Sequence, residues 1–362
     1  MAEPLIGYAP PSSGTMPAPR PVSYAFDGHP DAGETREVAP GVYWLRMPLP
    51  FKLDHINLWL LEDEGGWTII DTGIAKDDVK ALWDRIFSRM FQGKPLKRVI
   101  VTHAHPDHMG LAGWLTERFG VPLWTSFGEW SFARMLSLDK GPELLNKSRA
   151  FYRAAGFDES QMAAVDRRAN PYPRRVSPIP STYVRISDGD EIAINGRPWR
   201  VIVGTGHSTE HACLYCDELK VLISGDQVLP EITPNIAVWP MEPEADPLRN
   251  YLESLHKFKP LPEDTLVLPS HKWPFTGLHA RLDFLAHHHD LRLSETRETC
   301  SVPRTGVEVL SHLFKRQLDD HQLFFAIGEA LAHLHYLIEG DEMKRLEGES
   351  GVLKYAMFRS AS

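Results

Sequence analysis

Thr102-His103-Ala104-His105-Pro106-Asp107-His108-Met109-Gly110 is the stretch that decides the interpretation of this sequence. The apolar run before it, residues 98–102, predicts a buried strand, and residues 107–119 predict a helix. Two His side chains at positions i and i+2 of a strand end point the same way. Asp107 and His108 lie at the turn into the helix, so four nitrogen- and oxygen-bearing side chains can converge on one point. Imidazole and carboxylate suit Zn²⁺, with Fe or Mn as competitors.

Four further polar residues each follow a predicted apolar strand and are flanked by small or turn-forming residues. They are Asp71, His207, Asp226 and His271. Ligands of α/β folds gather at strand ends. Each residue alone fits an ordinary cap or loop position, whereas the whole series, with the His cluster second in order, indicates one shared site.

The series resembles the metallo-β-lactamase superfamily over about residues 40–275, through Asp71-Thr72-Gly73, the His-x-His-x-Asp-His cluster and the three later residues. The resemblance implies an α/β fold, a four-layer αββα sandwich with a dinuclear site at one edge. It also implies a set of metal ligands: His103, His105 and His207 for the first ion, Asp107, His108 and His271 for the second, and Asp226 as a bridge. Asp71 would orient the cluster from behind.

A narrower resemblance, to the beta-lactamase-like protein 2 group, comes from residues 225–235, the helix start at Leu278 and the helical tail. In that group a small winged-helix-like domain follows the hydrolase domain. The ligand set contains no Cys, which resembles the hydrolase branch and not the drug-degrading lactamases with a Cys ligand. The sequence departs from the family pattern at two positions that affect loop shape. Ser270 stands where the family commonly has Gly before the last His, and Thr209-Glu210 stand where Pro-Gly often follows the His that corresponds to His207.

Composition divides the chain into three parts. Residues 1–38 are rich in Pro, Gly, Ser and Ala without apolar periodicity, which predicts a flexible or draped arm. Residues 39–298 form the predicted hydrolase domain, with a helical insert at about 127–180. Residues 299–362 form the predicted winged-helix-like domain, because their pattern is helix, helix, hairpin.

The composition of the 362 residues also excludes several classes. No apolar run approaches the ~20 residues that cross a bilayer, and no secretory signal is evident, so no membrane partner is expected. Three Cys are too few for a disulfide framework and fit a reducing compartment, which predicts a cytoplasmic protein. Cys213 and Cys216 are expected on opposite faces of a strand as core residues. Homo-oligomerisation is left open.

Charge is distributed unevenly around a net value of −9. Residues 131–185 carry ten Lys or Arg against five Asp or Glu. Such a basic insert is either a solvated helix surface or a lid that suits an anionic substrate. The helical insert at about 127–180 also holds aromatic residues that fit either the core or an acyl pocket: Phe127, Trp130, Phe132, Phe151 and Tyr152.

The resemblance, together with the imidazole and carboxylate donors, predicts a dinuclear metal-dependent hydrolase with two divalent ions, Zn²⁺ first and Fe or Mn as alternatives. A bridging hydroxide would attack a small anionic thioester, ester or lactone of the acyl-CoA or acyl-glutathione type, with Asp107 and Asp71 as catalytic residues. The alternative is an endoribonuclease or other phosphodiesterase. Residues 303–362 carry seven basic and nine acidic side chains, which disfavours a nucleic-acid partner without excluding it.

A third metal site at His287-His288-His289 is disfavoured, since consecutive helical residues point about 100° apart. A solvated helix face is the expected role of these three residues.

Overall fold

The computed structural model describes residues 22–315 and 317–358. Their first strand, β1 (Ser23–Tyr24), joins the edge of a seven-stranded sheet formed mainly by later strands. The next seven strands form another sheet in sequence order: β2 (Thr35–Ala39), β3 (Val42–Pro48), β4 (His55–Asp63), β5 (Gly66–Ile70), β6 (Leu96–Ile100), β7 (Leu123–Thr125) and β8 (Val184–Arg185).

The sheet that contains β1 has the order β1-β14-β13-β12-β11-β10-β9. Its other strands are β9 (Glu191–Ile194), β10 (Arg197–Gly204), β11 (His211–Cys216), β12 (Val221–Gly225), β13 (Leu266–Pro269) and β14 (Phe275–Thr276). A third sheet, of order β15-β17-β16, lies in the C-terminal part: β15 (Arg304–Thr305), β16 (Met343–Glu347) and β17 (Leu353–Met357).

Ten α-helices occur among the described residues. They are α1 (Asp77–Ile86), α2 (Pro106–Met109), α3 (Ala112–Phe119), α4 (Phe127–Leu138), α5 (Pro142–Ala154), α6 (Glu159–Arg168), α7 (Pro247–Leu255), α8 (Leu278–Thr299), α9 (Gly306–Leu313) and α10 (Asp320–Glu339). No helix in this part of the chain is both long and apolar enough to cross a membrane.

The two large sheets pack face to face, and both of their faces are buried. Trp59 of β4 belongs to the core between the sheets, together with Leu214 of β11, whereas Leu58 faces α1 and α3. Alternating side chains of one strand therefore enter two different cores, which explains why these strands are continuous apolar runs. The αββα sandwich expected from the resemblance is confirmed. Cys213 and Cys216 lie in different cores, as predicted.

The C-terminal part shares a core with the outer face of the second sheet. Tyr215 of β11, Leu285 of α8 and Ile327 of α10 belong to one buried cluster. Tyr152 of α5 and Val165 of α6 belong to the same cluster. The C-terminal part has the predicted order of helix, helix and hairpin, and β15 adds a third strand to the hairpin. The likeness to a winged helix stays a prediction, as do the domain boundaries.

The predicted N-terminal arm is only partly described, since residues 1–21 lie outside the described residues, as do 359–362. In the described part of the arm β1 pairs with β14, and β2 pairs with β3. Residues 22–38 are thus draped over the two sheets by backbone hydrogen bonds, which a polar composition without periodicity does not reveal.

The helix predicted at 107–119 is instead two helices, α2 and α3, because a neighbouring loop interrupts it. The amide of Leu111 donates to Gly73 O at 3.1 Å, and the amide of Thr72 donates to His108 O at 2.9 Å. A Cβ on Gly110 would lie 2.4 Å from Gly73 O and 2.8 Å from Ala75 N. Glycine is therefore required for the loop to approach this closely.

His289 does not lie on a solvated face, contrary to the expectation for His287–His289. It is 0% exposed, and its Nδ1 lies 3.3 Å from Nε2 of His333 on α10. Burial lowers the pKa of His333 to about 4 and holds the pKa of His289 well below its ordinary value. Both rings are neutral at pH 7 in the joint between α8 and α10.

We expect Gly110→Ala to lower the free energy of unfolding by about 1–3 kcal/mol, because the added methyl meets backbone atoms that cannot move independently. Urea unfolding measures the effect. Gly141→Ala is the control, since a Cβ there meets nothing nearer than 3.7 Å, and it should change stability by no more than about 0.5 kcal/mol. Equal stability of the two variants would contradict the close approach.

Acidification should destabilise the joint between α8 and α10. The pKa of His333 is lower in the folded chain than the unfolded value of 6.5, so the unfolded chain takes up a proton that the folded chain excludes as the pH falls from 6.5 to about 4. His333→Gln should therefore lose about 3 kcal/mol less stability over this window than the parent chain. Unfolding curves at several pH values test this. The exposed His312→Gln should behave like the parent chain.

Candidate metal centre

The seven predicted ligands lie beyond the ends of strands, at one edge of the sandwich: five lie on loops, and Asp107 and His108 lie on the short helix α2. His103 and His105 follow β6 of the first sheet. His207 follows β10, Asp226 directly follows β12, and His271 follows β13, all in the second sheet. The structure brings together every residue that the sequence predicted here.

One group of donors consists of His103, His105, His207 and Asp226. Nε2 of His103 lies 2.8 Å from Nδ1 of His105 and 3.3 Å from Nε2 of His207. Nε2 of His207 lies 3.5 Å from Oδ2 of Asp226. The four donor atoms lie within 4.8 Å of one another, close enough to share one ion.

The second group consists of Asp107, His108 and His271. Oδ2 of Asp107 lies 3.4 Å from Nε2 of His271 and 3.8 Å from Nε2 of His108. Asp226 contacts this group as well, with Oδ2 at 3.6 Å from His108 Nε2 and Oδ1 at 3.4 Å from His271 Nε2. Asp226 therefore contacts both groups of donors.

Protonation states in the cluster suit metal binding. Burial lowers the pKa of His105 to about 3, and burial with the adjacent imidazoles holds the pKa of His103 well below its ordinary value. Both rings are neutral at pH 7, which is the form that binds a metal. Burial would raise the pKa of Asp107, but the neighbouring imidazoles lower it to about 2. Burial would lower the pKa of His271, but the facing carboxylates raise it to about 10, so a metal there competes with a proton.

Asp71 orients the cluster from behind. Its Oδ1 accepts from the amide of Thr102 at 2.8 Å, and its Oδ2 lies 2.7 Å from Nδ1 of His108. This bond leaves Nε2 of His108 directed into the site. His207 and His271 are oriented in the same way, since each Nδ1 donates at 2.9 Å to a backbone carbonyl, of Asn235 and His55 respectively.

Glu129 on α4 is a positioning residue that the sequence interpretation missed. It is 0% exposed, its Oε2 accepts from the amide of Ala104, and its Oε1 accepts from the amide of Glu210, both at 2.7 Å. One carboxylate thus connects the loop of the first two His ligands with the loop of His207. Glu129 shares the buried face of its helix with Ala133 and Leu136, and a carboxylate in such an apolar helical stripe is the signal that predicts it.

The departure at Thr209-Glu210 belongs to the same connection. The carboxylate of Glu210 accepts from the amide of Gly128 at 2.7 Å, and its carbonyl accepts from Ser126 Oγ at 2.8 Å. The sequence interpretation also missed His211, whose ring positions the backbone of Asp226. Burial lowers the pKa of His211 well below its ordinary value, and its Nε2 accepts a hydrogen bond from the amide of Asp226 at 3.0 Å.

The donors fit a bound divalent cation. Nε2 of His108 and Oδ1 of Asp226 are buried and have no hydrogen-bond partner among the described residues. Such buried polar atoms ordinarily have partners, and a cation between the two groups would supply one for both. Five imidazoles and two carboxylates without sulfur suit Zn²⁺, Fe²⁺ or Mn²⁺.

An apolar cavity of about 160 Å³ lies beside the cluster, with His105 in its wall. Phe132 and Tyr152 line it, as the acyl-pocket hypothesis expected, together with Arg168 and Arg175. The other three aromatic candidates lie elsewhere: Trp130 stacks on Tyr183, Phe151 borders a second cavity, and Phe127 is 49% exposed.

Comparison with known families decides the assignment. The family profile of the Metallo-beta-lactamase superfamily matches residues 52–271, the span that holds all seven clustered donors. The chain belongs to the metallo-β-lactamase superfamily. A second profile, the Metallo-beta-lactamase-like C-terminal domain, matches residues 293–358. The resemblance stated from the sequence is thereby confirmed, and the metallo-β-lactamase domain makes the chain a metal-dependent hydrolase.

Individual relatives agree with this assignment. The crystal structure of a beta-lactamase domain protein from Burkholderia ambifaria is 45% identical, with a TM-score of 0.87, over 93% of this chain and 98% of its own. The probable metallo-hydrolase YqjP of Bacillus subtilis is 25% identical over 81% of this chain and 91% of its own length.

Two further relatives cover less of the metallo-β-lactamase chain. The Caenorhabditis elegans beta-lactamase-like protein 2 homolog is 23% identical over 73% of this chain and 70% of its own. The human acyl-coenzyme A thioesterase MBLAC2 is 23% identical over 53% of this chain and 65% of its own.

Asp71→Asn should weaken zinc binding about 10- to 100-fold, because an amide is a poorer acceptor for Thr102 and His108 than a carboxylate. Competition with a chromophoric chelator measures the affinity. Asp77→Asn replaces a carboxylate that is 97% exposed on α1 and should leave the affinity unchanged. Unchanged zinc affinity in Asp71→Asn would contradict the role assigned to Asp71.

Proposed function

We propose that the chain hydrolyses a small anionic thioester, ester or lactone with two divalent ions, most simply Zn²⁺, bound by the seven clustered donors. The position of Asp226 carries the proposal. Its two carboxylate oxygens face both groups, at 3.5 Å from His207 Nε2 and 3.4 Å from His271 Nε2. A carboxylate so placed can bridge two ions.

When bound, the two ions would supply an activated water at neutral pH and a positive charge that polarises a carbonyl oxygen. Asp226 would fix the spacing of the two ions. The Asp107 side chain is 19% exposed against 9% for Asp226, so Asp107 is the carboxylate that an incoming water can reach. We assign it the orientation of that water. Asp71 acts through His108, which it orients.

The cavity supports an acyl substrate. It adjoins His105, its walls are mainly apolar, and Arg168 and Arg175 add positive charge to the otherwise acidic chain. The human relative is named an acyl-coenzyme A thioesterase, which agrees with an anionic acyl thioester. Cleavage of RNA or another phosphodiester, the alternative considered from the sequence, has no comparable observation in its favour.

A panel of acyl-CoA, acyl-glutathione, lactone and RNA substrates, each assayed with and without a chelator, tests the proposal. We expect hydrolysis of thioesters or lactones that the chelator abolishes and added Zn²⁺, Mn²⁺ or Fe²⁺ restores. Cleavage of RNA without cleavage of any thioester or lactone would contradict the proposed substrate class. Activity in chelator-treated protein that elemental analysis shows to be metal-free would contradict the metal mechanism.

Asp226→Asn should reduce kcat/KM at least about 100-fold and lower the metal content from about two ions per chain, because an amide is a poor bridge. Elemental analysis and steady-state kinetics measure the two effects. Asp264→Asn, a matched change in an exposed carboxylate paired with Lys220, should alter neither quantity. Full metal content in Asp226→Asn would refute the bridging role.

A further inference from the structure

Arg168, the last residue of α6, is a half-buried cation in the wall of the cavity beside His105. Its guanidinium carbon lies 4.4 Å from the ring centre of Phe324 and 5.7 Å from the ring of Trp239. Aromatic rings attract a cation that lies over them, but they supply no conventional hydrogen-bond acceptor for its N–H groups. Nη1 is buried and has no hydrogen-bond partner among the described residues.

The adjacent Arg167 differs in its surroundings. It is 63% exposed and pairs with Asp320 at 2.7 Å. No ion pair formed within the described ranges includes Arg168, although the described part of the insert holds several acidic residues. A cation in an apolar pocket without an anion is costly unless a ligand supplies the anion.

The cavity therefore has three distinct chemical parts. His105 of the candidate metal centre forms one part of the wall, and most of the wall is apolar, with Phe132 and Leu145 among its residues. The third part is positively charged: Arg175 lies in the same wall, and the planar N–H donors of the Arg168 guanidinium can bind the two oxygens of a carboxylate, or those of a phosphate, in a bidentate manner.

We propose that this cavity binds the acyl group of the substrate and that Arg168 recognises a carboxylate carried by that acyl group. The substrate class is then a thioester, ester or lactone derived from a dicarboxylic acid, with the reacting carbonyl at the metal centre. This inference rests on the proposed function and narrows its substrate. Phe324 belongs to α10, so the C-terminal domain forms part of the specificity pocket.

Two acyl-CoA series of matched chain length, one ending in a methyl group and one in a carboxylate, test the inference through kcat/KM. We expect the parent enzyme to prefer the carboxylate member by about 10- to 100-fold at its best length, the effect of one charge-assisted hydrogen-bond pair. Arg168→Met should remove this preference and change the methyl series little. Arg168→Lys, which keeps the charge without the planar fork, should keep part of the preference.

Arg167→Met is the matched control, since it removes an exposed guanidinium from the same helix end, and it should retain the full preference. Equal losses for both series in Arg168→Met would overturn the inference, because they indicate a structural role or contact with the leaving group. A parent enzyme that prefers the methyl series would overturn it as well. Thermal unfolding shows whether Arg168→Met is folded, and Arg168→Lys replaces it if it is not.

Calorimetric titration of free acids separates this inference from the proposed reaction. Zinc-loaded protein should bind a dicarboxylic acid more tightly than the monocarboxylic acid of the same length, and Arg168→Met should bind both alike. That result without hydrolysis of any ester or thioester would retain the cavity assignment and reject the proposed reaction. Hydrolysis together with equal binding of the two acids would retain the reaction and reject the role of Arg168.

Discussion

The carboxylate of Asp71 is the contact on which the rest of the site depends. Asp71 is fully buried, and its backbone adopts a positive φ of 60°, which turns the chain sharply at the end of β5. It accepts from Thr102 at the end of β6 and from His108 on α2, so it joins two strand ends and the short helix of the ligand cluster. The following residues, Thr72 and Gly73, interrupt the helix beyond and thereby keep α2 short.

Five of the seven clustered donors were predictable because each lies within a few residues of the end of an apolar strand, where a sequence pattern is informative. Asp107 and His108 lie on α2 and were recognised from the spacing of the His-x-His-x-Asp-His cluster. Glu129 and His211 were not, since their partners are brought to them by packing: Glu129 binds the amide of Ala104 across 25 positions, and His211 binds that of Asp226 across 15. The helix break at Gly110 was missed for the same reason, because its cause is the backbone of Gly73. The periodicity of a segment predicts which face of a helix or strand is buried, but it does not predict which distant residues pack against that face.

Continuity between the C-terminal domain and the sandwich is the second organising feature. Ile327 and Phe324 of α10 pack with Tyr152 of the insert and with the outer face of the second sheet in one core. The same helix supplies Phe324 to the cavity wall. The sequence indicated a domain boundary near residue 300, but one buried apolar cluster contains residues from both sides of that boundary. The C-terminal domain is thus a structural part of the hydrolase domain's outer layer.

The link made by Glu129 has a mechanical consequence for the basic insert. A lid on flexible hinges could move without disturbing the groups beneath it. Here α4 is hydrogen-bonded through Glu129 to the loop of His103 and His105 and to the loop of His207. The hydroxyl of Tyr172, in the same insert, also donates to the carbonyl oxygen of Ala104 at 2.6 Å. Any displacement of α4 against the sheets therefore strains the spacing of the histidines themselves. The insert is therefore fastened to the loops that carry the candidate ligands, and a displacement of α4 would change the spacing of those ligands.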